Sequence, residues 1–202
     1  MKNLASAVGV LGLMVLGFSS KTNAQSFQNK DNIITFGFGF DPYFQGKFKS
    51  GWGPGYKYSA IGPIVLTYER GITDKVGIGY FGVGGGIAQS FHTTKWYTNQ
   101  NYEHINRNTR TAIFVRCAYH FDLGIEKLDV YAGVGGGVNI DNRTYRSDDP
   151  FDFNPKYKDE VNINGGPDIF GGVRYYFTNS FGVYGEVGYG STTISGGLAF
   201  KF

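Results

Sequence analysis

The 202-residue sequence has neither a pair of cysteines nor, after its first 24 residues, a long apolar run. Cys117 is its one cysteine, so an intramolecular disulfide is excluded. Beyond the first 24 residues, no apolar run approaches the ~20 residues of a membrane-spanning helix. Charge of neither sign dominates, with 19 Lys and Arg against 16 Asp and Glu. The sequence therefore gives no general argument for a nucleic-acid partner.

The first 24 residues have the pattern of a secretory signal peptide. Lys2 provides the positive start, residues 4 to 18 form a short apolar run, and small or polar residues lead to a cleavage point after Ala24. The run is too short for a stable membrane span, so a membrane anchor is the weaker interpretation. We expect residues 1–24 to be the signal peptide and residues 25–202 to form one domain.

Glycine and aromatic residues are abundant, and they alternate. Between residues 32 and 41, Ile34, Phe36 and Phe38 share one face while Gly37 and Gly39 share the other. Such a period of two predicts a β-strand. Eight segments show this pattern: 32–41, 60–69, 75–89, 111–121, 128–140, 168–177, 181–190 and 192–202.

Two segments carry irregular features. Pro63 predicts either a bulge or the end of the second strand, because proline cannot donate to a strand ladder. In the third segment the alternation places Val76, Ile78 and Tyr80 outward. The glycines of residues 82–86 leave the register of its upper half open.

The connections between segments alternate in length. Those at 70–74, 122–127 and 178–180 are short, whereas those at 41–59, 90–110 and 141–167 are long and polar. The last hairpin, near Gly190 and Ser191, is the exception, because its connection is short although it lies at the end of the long loops. Short turns at one end and long loops at the other are typical of outer-membrane barrels, whose short turns lie in the periplasm. An even strand count then predicts that both termini are periplasmic.

Large aromatic residues recur at the short-turn level of the outward face. Aromatic girdles mark the membrane interfaces of such barrels. The predicted periplasmic girdle consists of Tyr68, Phe121, Phe177, Phe181 and Phe202.

The last eight residues resemble the C-terminal insertion signal of bacterial outer-membrane barrels. Ser195, Gly197, Phe200 and Phe202 fill its fixed positions. With the alternating segments and loop asymmetry, they make the chain similar to the small barrel family that includes OmpX and the membrane domain of OmpA. That resemblance implies an all-β, eight-stranded antiparallel up-and-down transmembrane barrel in the bacterial outer membrane. It also implies contact with the barrel-assembly machinery and outer-membrane lipid, including lipopolysaccharide, and no cofactor.

Charged residues fall on the inward face of the predicted strands, where they must pair or hold water. We expect Arg174 to pair with Glu186 on the adjacent strand and Arg116 to complete a network across the lumen. Such a network is either a structural plug or a gate. The predicted lumen charge network is Glu69, Arg116, Asp129, Arg174, Glu186 and Lys201, with His120 on the same face.

Catalytic and metal-binding patterns are weak. His92 and His104 lie in the second long connection with Ser90 nearby, but no spacing fixes a nucleophile and its base. The acidic residues of the third long connection lack the ordered spacing of a calcium loop. We therefore predict no catalytic residue, no metal site and no cofactor.

Aromatic residues also crowd the long connections. They either bind lipopolysaccharide or a surface partner, together with nearby lysines, or form a belt at the outer leaflet. These residues are Tyr43, Phe44, Phe48, Trp52, Tyr56, Tyr58, Trp96, Tyr97 and Tyr102. The function predicted is a non-enzymatic outer-membrane barrel with a structural or surface-interaction role. A narrow passive pore, a lipid A-modifying enzyme and a soluble β-sandwich are the alternatives.

Overall fold

The computed structural model describes residues 27–40, 55–98, 102–152 and 157–202. Eight strands pair antiparallel in chain order, and the first pairs with the last to close a barrel. The predicted eight-stranded up-and-down fold is confirmed. The predicted signal peptide lies outside the described residues. The strands are β1 (Asn32–Phe40), β2 (Lys57–Gly71), β3 (Gly79–Tyr97), β4 (Glu103–Phe121), β5 (Leu128–Ser147), β6 (Tyr157–Tyr176), β7 (Phe181–Tyr189) and β8 (Ile194–Lys201).

The barrel has an apolar exterior and a polar interior. In β1, Phe36, Phe38 and Phe40 are between 41% and 59% exposed. Thr35, on the opposite face of the same strand, is 1% exposed. The same alternation runs through the other strands near the short turns. A soluble barrel would bury its aromatic face. An aromatic face on the outside is typical of barrels in a lipid environment. No helix that is long and apolar enough to cross a membrane occurs among the described residues.

The strands are unequal in length, and this makes the barrel one-sided. β3 to β6 have 19 or 20 residues each, while β1, β7 and β8 have 9, 9 and 8. The ladder between β6 and β7 ends at Ile169 and Tyr189, although β5 and β6 stay paired as far as Arg146 and Tyr157. The upper parts of β3 to β6, with the upper part of β2, therefore extend beyond the rest of the barrel. We call this part the projecting sheet.

The projecting sheet corrects the predicted loops. Most of residues 90–110 and the ends of 141–167 were expected to be loop, but β3 continues to Tyr97, β4 begins at Glu103, and β5 and β6 are similarly extended. The strands here carry Thr, Asn, Arg and Lys on both faces. Because these polar residues interrupt both faces, the apolar alternation that predicts strands is broken over most of this part, although the backbone ladder continues.

Tyr80 was predicted to face outward and instead lies inside the barrel. A tight turn at Val76–Gly79, in which Gly77 has a φ of 64°, precedes β3 and resets its alternation. Phe81 is the outward residue, and Tyr80 packs against the buried cluster of Phe27, Ile33, Tyr176 and Ala199. The register of β3 is continuous with β4 through its glycine run.

The irregularity at Pro63 is a β-bulge. The pairing of β2 with β3 shifts between Ile61 and Ile64, and Gly62 adopts a φ of 93°. Ile61 and Ile64 both stay on the outward face despite being three residues apart. The bulge therefore preserves the inward and outward alternation above and below Pro63.

The position of Tyr80 is testable by spin labelling. In a Cys117→Ser background, a nitroxide at Phe81→Cys should be accessible to oxygen dissolved in the bilayer, whereas one at Tyr80→Cys should be shielded by the barrel wall. Power-saturation electron paramagnetic resonance measures this accessibility in refolded protein whose gel mobility shifts on heating. The opposite pattern would return β3 to the originally predicted register.

Candidate functional site

Buried charges fill the lumen in its short-turn half. Inward positions of five strands bring them together, and none is more than 7% exposed. We call this group the lumen cluster. It consists of Glu69 on β2, Arg116 and His120 on β4, Asp129 on β5, Arg174 on β6 and Glu186 on β7.

Arg174 is the central cation of the lumen cluster, with no solvent exposure. Its Nη2 donates to Glu69 Oε2 at 2.8 Å and its Nη1 donates to Asp129 Oδ2 at 3.0 Å. The guanidinium carbon lies 4.2 Å from the centroid of the Tyr131 ring. One planar guanidinium thus joins two carboxylates from strands on different sides of the lumen.

Arg116 forms the second ion pair of the cluster. Its Nη1 donates to both oxygens of Glu186, at 2.9 and 3.1 Å, and the Tyr131 hydroxyl donates to Glu186 Oε2 at 3.0 Å. Arg116 Nη2 also lies 3.9 Å from Glu69 Oε2, which connects the two pairs. The guanidinium of Arg116 stacks 4.4 Å from the centroid of Phe170.

The expected pair of Arg174 with Glu186 is wrong. The expectation considered only the hairpin of β6 and β7, where Glu186 lies opposite Gly172 and Arg174 lies opposite Tyr184. On its other side, Arg174 has Asp129 directly opposite on β5. Direct cross-strand neighbours are closer than diagonal ones, so Asp129 takes this position.

His120 links the carboxylates of Glu69 and Asp129. Its Nδ1 lies 2.8 Å from Asp129 Oδ1, and its Nε2 makes an ion-pair contact with Glu69 Oε1. A neutral imidazole has only one N–H, whereas here both nitrogens face carboxylate oxygens. A doubly protonated ring would supply both donors, and its charge would balance three carboxylates against two guanidinium groups. The ring of Phe27 stacks on His120 at a centroid distance of 3.5 Å.

Gly82 leaves room for this arrangement. A Cβ atom at Gly82 would lie 2.7 Å from Glu69 Oε1, 3.0 Å from Phe27 Cζ and 3.1 Å from His120 Nε2. Any larger residue would have to displace a buried ion pair. The glycine that blurred the sequence pattern of β3 is therefore part of the lumen packing.

Lys201 lies outside the lumen cluster, at the short-turn end. Its Nζ is 3.8 Å from Asp31 Oδ2 and 5.0 Å from the centroid of Tyr176. Below the cluster, Phe27, Ile33, Tyr176, Ala199 and Tyr80 pack together. Charged and apolar side chains thus fill successive levels of the barrel interior.

The residues predicted as a girdle all lie at the short-turn end. Tyr68, Phe177 and Phe202 are 43%, 52% and 46% exposed. Phe181 lies between Phe177 and Phe200, with ring centroids 6.2 and 5.2 Å away. Phe121 packs edge-on against Tyr119.

The four positions of the resembled insertion signal lie on β8 and directly after it. Ser195 is buried on the inward face, whereas Phe200 and Phe202 are on the outward side. Gly197 pairs with Gly37 of β1, and the backbone N–H of Phe202 donates to the carbonyl of Asn32. These residues therefore lie along the seam that closes the barrel.

A second polar group lies in the projecting sheet. We call Trp96, His104, Tyr145 and Asp152 the outer-rim cluster. His104 Nδ1 is 2.7 Å from the Tyr145 hydroxyl, which donates to Asp152 Oδ2 at 2.5 Å. Trp96 stacks on His104 with ring centroids 5.3 Å apart. Burial, followed by the hydrogen bond to Asp152, raises the pKa of Tyr145 to about 12, so the phenol remains a donor at neutral pH.

The outer-rim cluster resembles a relay, but no nucleophile among the described residues is hydrogen-bonded to its histidine. Because the Tyr145 hydroxyl donates to Asp152, His104 Nδ1 must donate to it, and Nε2 then carries the lone pair of a neutral ring. Ser147 is the cross-strand neighbour of His104, yet His104 Nε2 has no hydrogen-bond partner among the described residues. His92 instead contacts the Tyr58 hydroxyl, with Nδ1 3.0 Å away.

Other predicted features remain apart or undescribed. Tyr43, Phe44, Phe48 and Trp52 lie outside the described residues. Within the described part of the chain, no group of three or more His, Cys, Asp or Glu residues is arranged to hold a metal ion.

An exposed ion pair marks the short-turn end. Lys75 Nζ donates to Asp122 Oδ2 at 2.6 Å, and this hydrogen bond lowers the pKa of Asp122 and raises the pKa of Lys75. It joins the turn before β3 to the turn after β4. Because the pair is exposed to solvent, we expect little effect on stability.

Several partners in these groups were missed in the sequence. Tyr131 is two residues from Asp129 on the inward face of the same strand, so the alternation that selected Asp129 also contains it. Phe27 precedes the first alternating segment and gave no signal. Tyr145 lies in a segment predicted to be loop, where its approach to His104 from 41 residues away has no sequence signature.

The strand order and the contrast between interior and exterior define the class of the protein: a closed eight-stranded up-and-down β-barrel with a filled polar lumen. No protein-family profile and no curated protein sequence matches the chain. Two similar solved structures are of Ail, the attachment invasion locus protein of Yersinia pestis, one of them in complex with the heparin analogue sucrose octasulfate. Each is 12% identical and covers 86% of this chain and 99% of its own, with TM-scores of 0.49 for the complex and 0.47 for the other. The assignment of the class rests on the strand pairing of this chain.

The lumen cluster predicts a large effect of removing Arg174. Arg174→Ala leaves Glu69 and Asp129 buried without their shared cation, and breaking a buried pair costs about 3–5 kcal/mol. We expect the free energy of unfolding in urea, measured in detergent or lipid, to fall by about that amount.

Lys75→Ala is the matched control, because it removes a cation whose ion pair is exposed. It should leave the unfolding midpoint unchanged. Equal midpoints for Arg174→Ala and the wild type would mean that the lumen cluster does not stabilise the barrel.

Proposed function

We propose that this chain is a non-enzymatic integral protein of the bacterial outer membrane that acts through its outer surface. The apolar exterior supports membrane insertion. Val115, Val134 and Val187, on three different strands, are 60% to 69% exposed. Contact with lipid would remove these apolar side chains from water, which is favourable. An uncovered apolar surface of this extent would favour aggregation of a soluble protein.

The lumen cluster is the observation that carries this proposal. Arg174, Arg116 and Tyr131 cross the interior, and their carboxylate partners are all buried. Small barrels of eight strands have interiors that side chains can fill. A filled lumen supports a structural plug over a gate or passive pore, and it directs the search for function to the outside.

The proposed orientation has the short turns and both termini in the periplasm. The first and last strands meet at this end, where the N–H of Asn32 donates to the carbonyl of Phe202 at 3.0 Å. We infer that Ser195, Gly197, Phe200 and Phe202 form the signal read by the barrel-assembly machinery. The projecting sheet then extends from the opposite side of the membrane, next to lipopolysaccharide.

One edge of the projecting sheet has no second strand paired with it among the described residues. Residues 157–168 of β6 are paired with β5, but β7 begins to pair only at Ile169. Val161 and Ile163 on this segment are 63% and 64% exposed. An unpaired edge with exposed apolar residues is a template for a strand from another protein. This edge supports a surface-interaction role.

Trimming the projecting sheet tests this role. Replacing residues 94 to 106 by Asn-Gly joins Thr93 to Arg107, which are already cross-strand partners, so the lower barrel should fold unchanged. The same trimmed variant carries Val161→Lys and Ile163→Lys, which place charges on the open edge of β6. Cells displaying the trimmed protein should attach less to immobilised matrix proteins and to bare glass than cells displaying the wild type. Attachment equal to the wild type on every surface would contradict the proposed role.

Cysteine labelling supplies the control for display and orientation. In a Cys117→Ser background, a membrane-impermeant maleimide should label Asn142→Cys, on the projecting sheet, in intact cells. It should label Glu126→Cys, in a short turn, only after the outer membrane is permeabilised. Labelling of Glu126→Cys alone in intact cells would reverse the proposed orientation.

A second candidate is a lipid A-modifying enzyme, and the outer-rim cluster is the observation that favours it. His104 and Asp152 approach within 3.6 Å at the proposed outer side, with Tyr145 between them. Ser147 is adjacent but is not hydrogen-bonded to His104.

Mass spectrometry of lipid A decides between these candidates. We expect lipid A from expressing cells to match that from cells carrying the empty vector, because no nucleophile among the described residues is hydrogen-bonded to His104. Loss of an acyl chain, or gain of one, that disappears in His104→Ala would establish the enzyme. The matched control is Tyr80→Phe, which changes a side chain inside the short-turn end of the barrel, far from the outer-rim cluster.

A further inference from the structure

A cavity lies at the outer mouth of the lumen, away from both the lumen cluster and the outer-rim cluster. Its volume is about 420 Å³. The inner face of β4 to β6 forms one wall, and the turn between β7 and β8 forms the other. Among its lining residues are Arg110, Phe114, Asn139, Gly166, Asp168 and Thr192. Cavities of this size hold small-molecule ligands.

Asp168 is the buried anion of this cavity, at 3% exposure. Its Oδ1 accepts hydrogen bonds from the backbone N–H and the hydroxyl of Ser191, both at 2.9 Å. Its Oδ2 has no hydrogen-bond partner among the described residues, and no cation in that part of the chain pairs with it. Buried carboxylates normally have such a partner, so this one is prepared for a donor that comes from outside the chain.

The cation nearest in the lining is already engaged elsewhere. Arg110 Nε donates to Asn139 Oδ1 at 3.3 Å and lies 3.9 Å from Asp141 Oδ1. The position opposite Asp168 on β5 is Gly135, which carries no side chain to neutralise it. The missing positive charge is therefore best supplied by a ligand.

Gly166 keeps the cavity empty of side chains. It lies two residues from Asp168 on the same inward face of β6, and an added Cβ atom would meet nothing within 4 Å. By contrast, most inward glycines of β3 and β5 are packed against neighbouring backbone. Gly166 therefore leaves free space that packing of the barrel does not require.

We propose that this cavity binds a small soluble molecule carrying a primary ammonium group, which donates to Asp168 while its carbon chain rests beside Phe114 and Gly166. An ammonium offers three donors, which suits Asp168 together with the hydroxyl groups of Thr192 and Thr193. This site goes beyond the proposed attachment role. Gly166 and Asp168 belong to the same stretch of β6 as the open edge, but the cavity lies on their inward side, whereas Val161 and Ile163 of that edge are exposed on the outside.

Calorimetric titration of the refolded full barrel with 1,5-diaminopentane tests the site. Its uncharged analogue 1,5-pentanediol measures the share of binding that needs no cation. We expect the diamine to bind measurably more tightly than the diol. Asp168→Asn should weaken diamine binding at least about tenfold, because it removes the charged acceptor. Gly166→Leu should weaken it similarly by filling the space.

Two matched variants act as controls. Asp159→Asn removes an exposed carboxylate of the same strand, and Gly185→Leu adds the same side chain at an outward glycine with nothing within 4 Å. Both should bind the diamine like the wild type. If Asp168→Asn does not refold, as judged by heat-shifted gel mobility, Gly166→Leu still decides the matter.

The proposal is overturned by any of three results: equal binding of diamine and diol to the wild type, undiminished binding in the Asp168 and Gly166 variants, or an equal loss in the two controls. Loss confined to the Asp168 and Gly166 variants would support it.

Discussion

The fork of Arg174 between Glu69 and Asp129 is the interaction on which the rest of the barrel depends. It takes charges from three strands out of water, and such burial is tolerable only when each charge has close partners. His120 and Arg116 supply the remaining partners, and Gly82 supplies the space. A closed polar interior accompanies a largely apolar outer face in the lower barrel, because the charges of the lumen cluster point inward. The apolar outer surface and the polar lumen surface are thus two results of one alternation.

The fold could be predicted to a large extent because that alternation is strict near the short turns. In β1 from Ile34 and in β4 from Ile113, every second residue is apolar, and the structure keeps this parity. Prediction failed where the alternation was interrupted or absent. The turn around Gly77 shifted Tyr80 to the interior, since a single residue of slip exchanges the two faces of a strand. In the projecting sheet polar residues occur on both faces, so strands with complete ladders were predicted to be loops.

The sites were less predictable than the fold. Parity identified the residues that enter the lumen, but it could not choose among partners, because pairing depends on strands that are distant in sequence. The two partners of Arg174 are far away in sequence: Asp129 is 45 residues from it and Glu69 is 105 residues from it. The outer-rim cluster and the cavity at Asp168 likewise combine residues from strands whose relative heights follow from register. The lumen cluster thus accounts for stability, whereas recognition by the projecting sheet is the role that we propose for the outer side.

Single-channel recording from refolded residues 25–202 in a planar bilayer tests the central claim most directly, because it reports whether ions cross the lumen cluster. With folding verified by heat-shifted gel mobility, the account predicts a silent membrane for the wild type. It predicts discrete current steps only after Arg174 or Arg116 is shortened. Reproducible steps from the wild-type protein, changed in size by Glu186→Gln, would contradict a sealed lumen and establish the narrow pore.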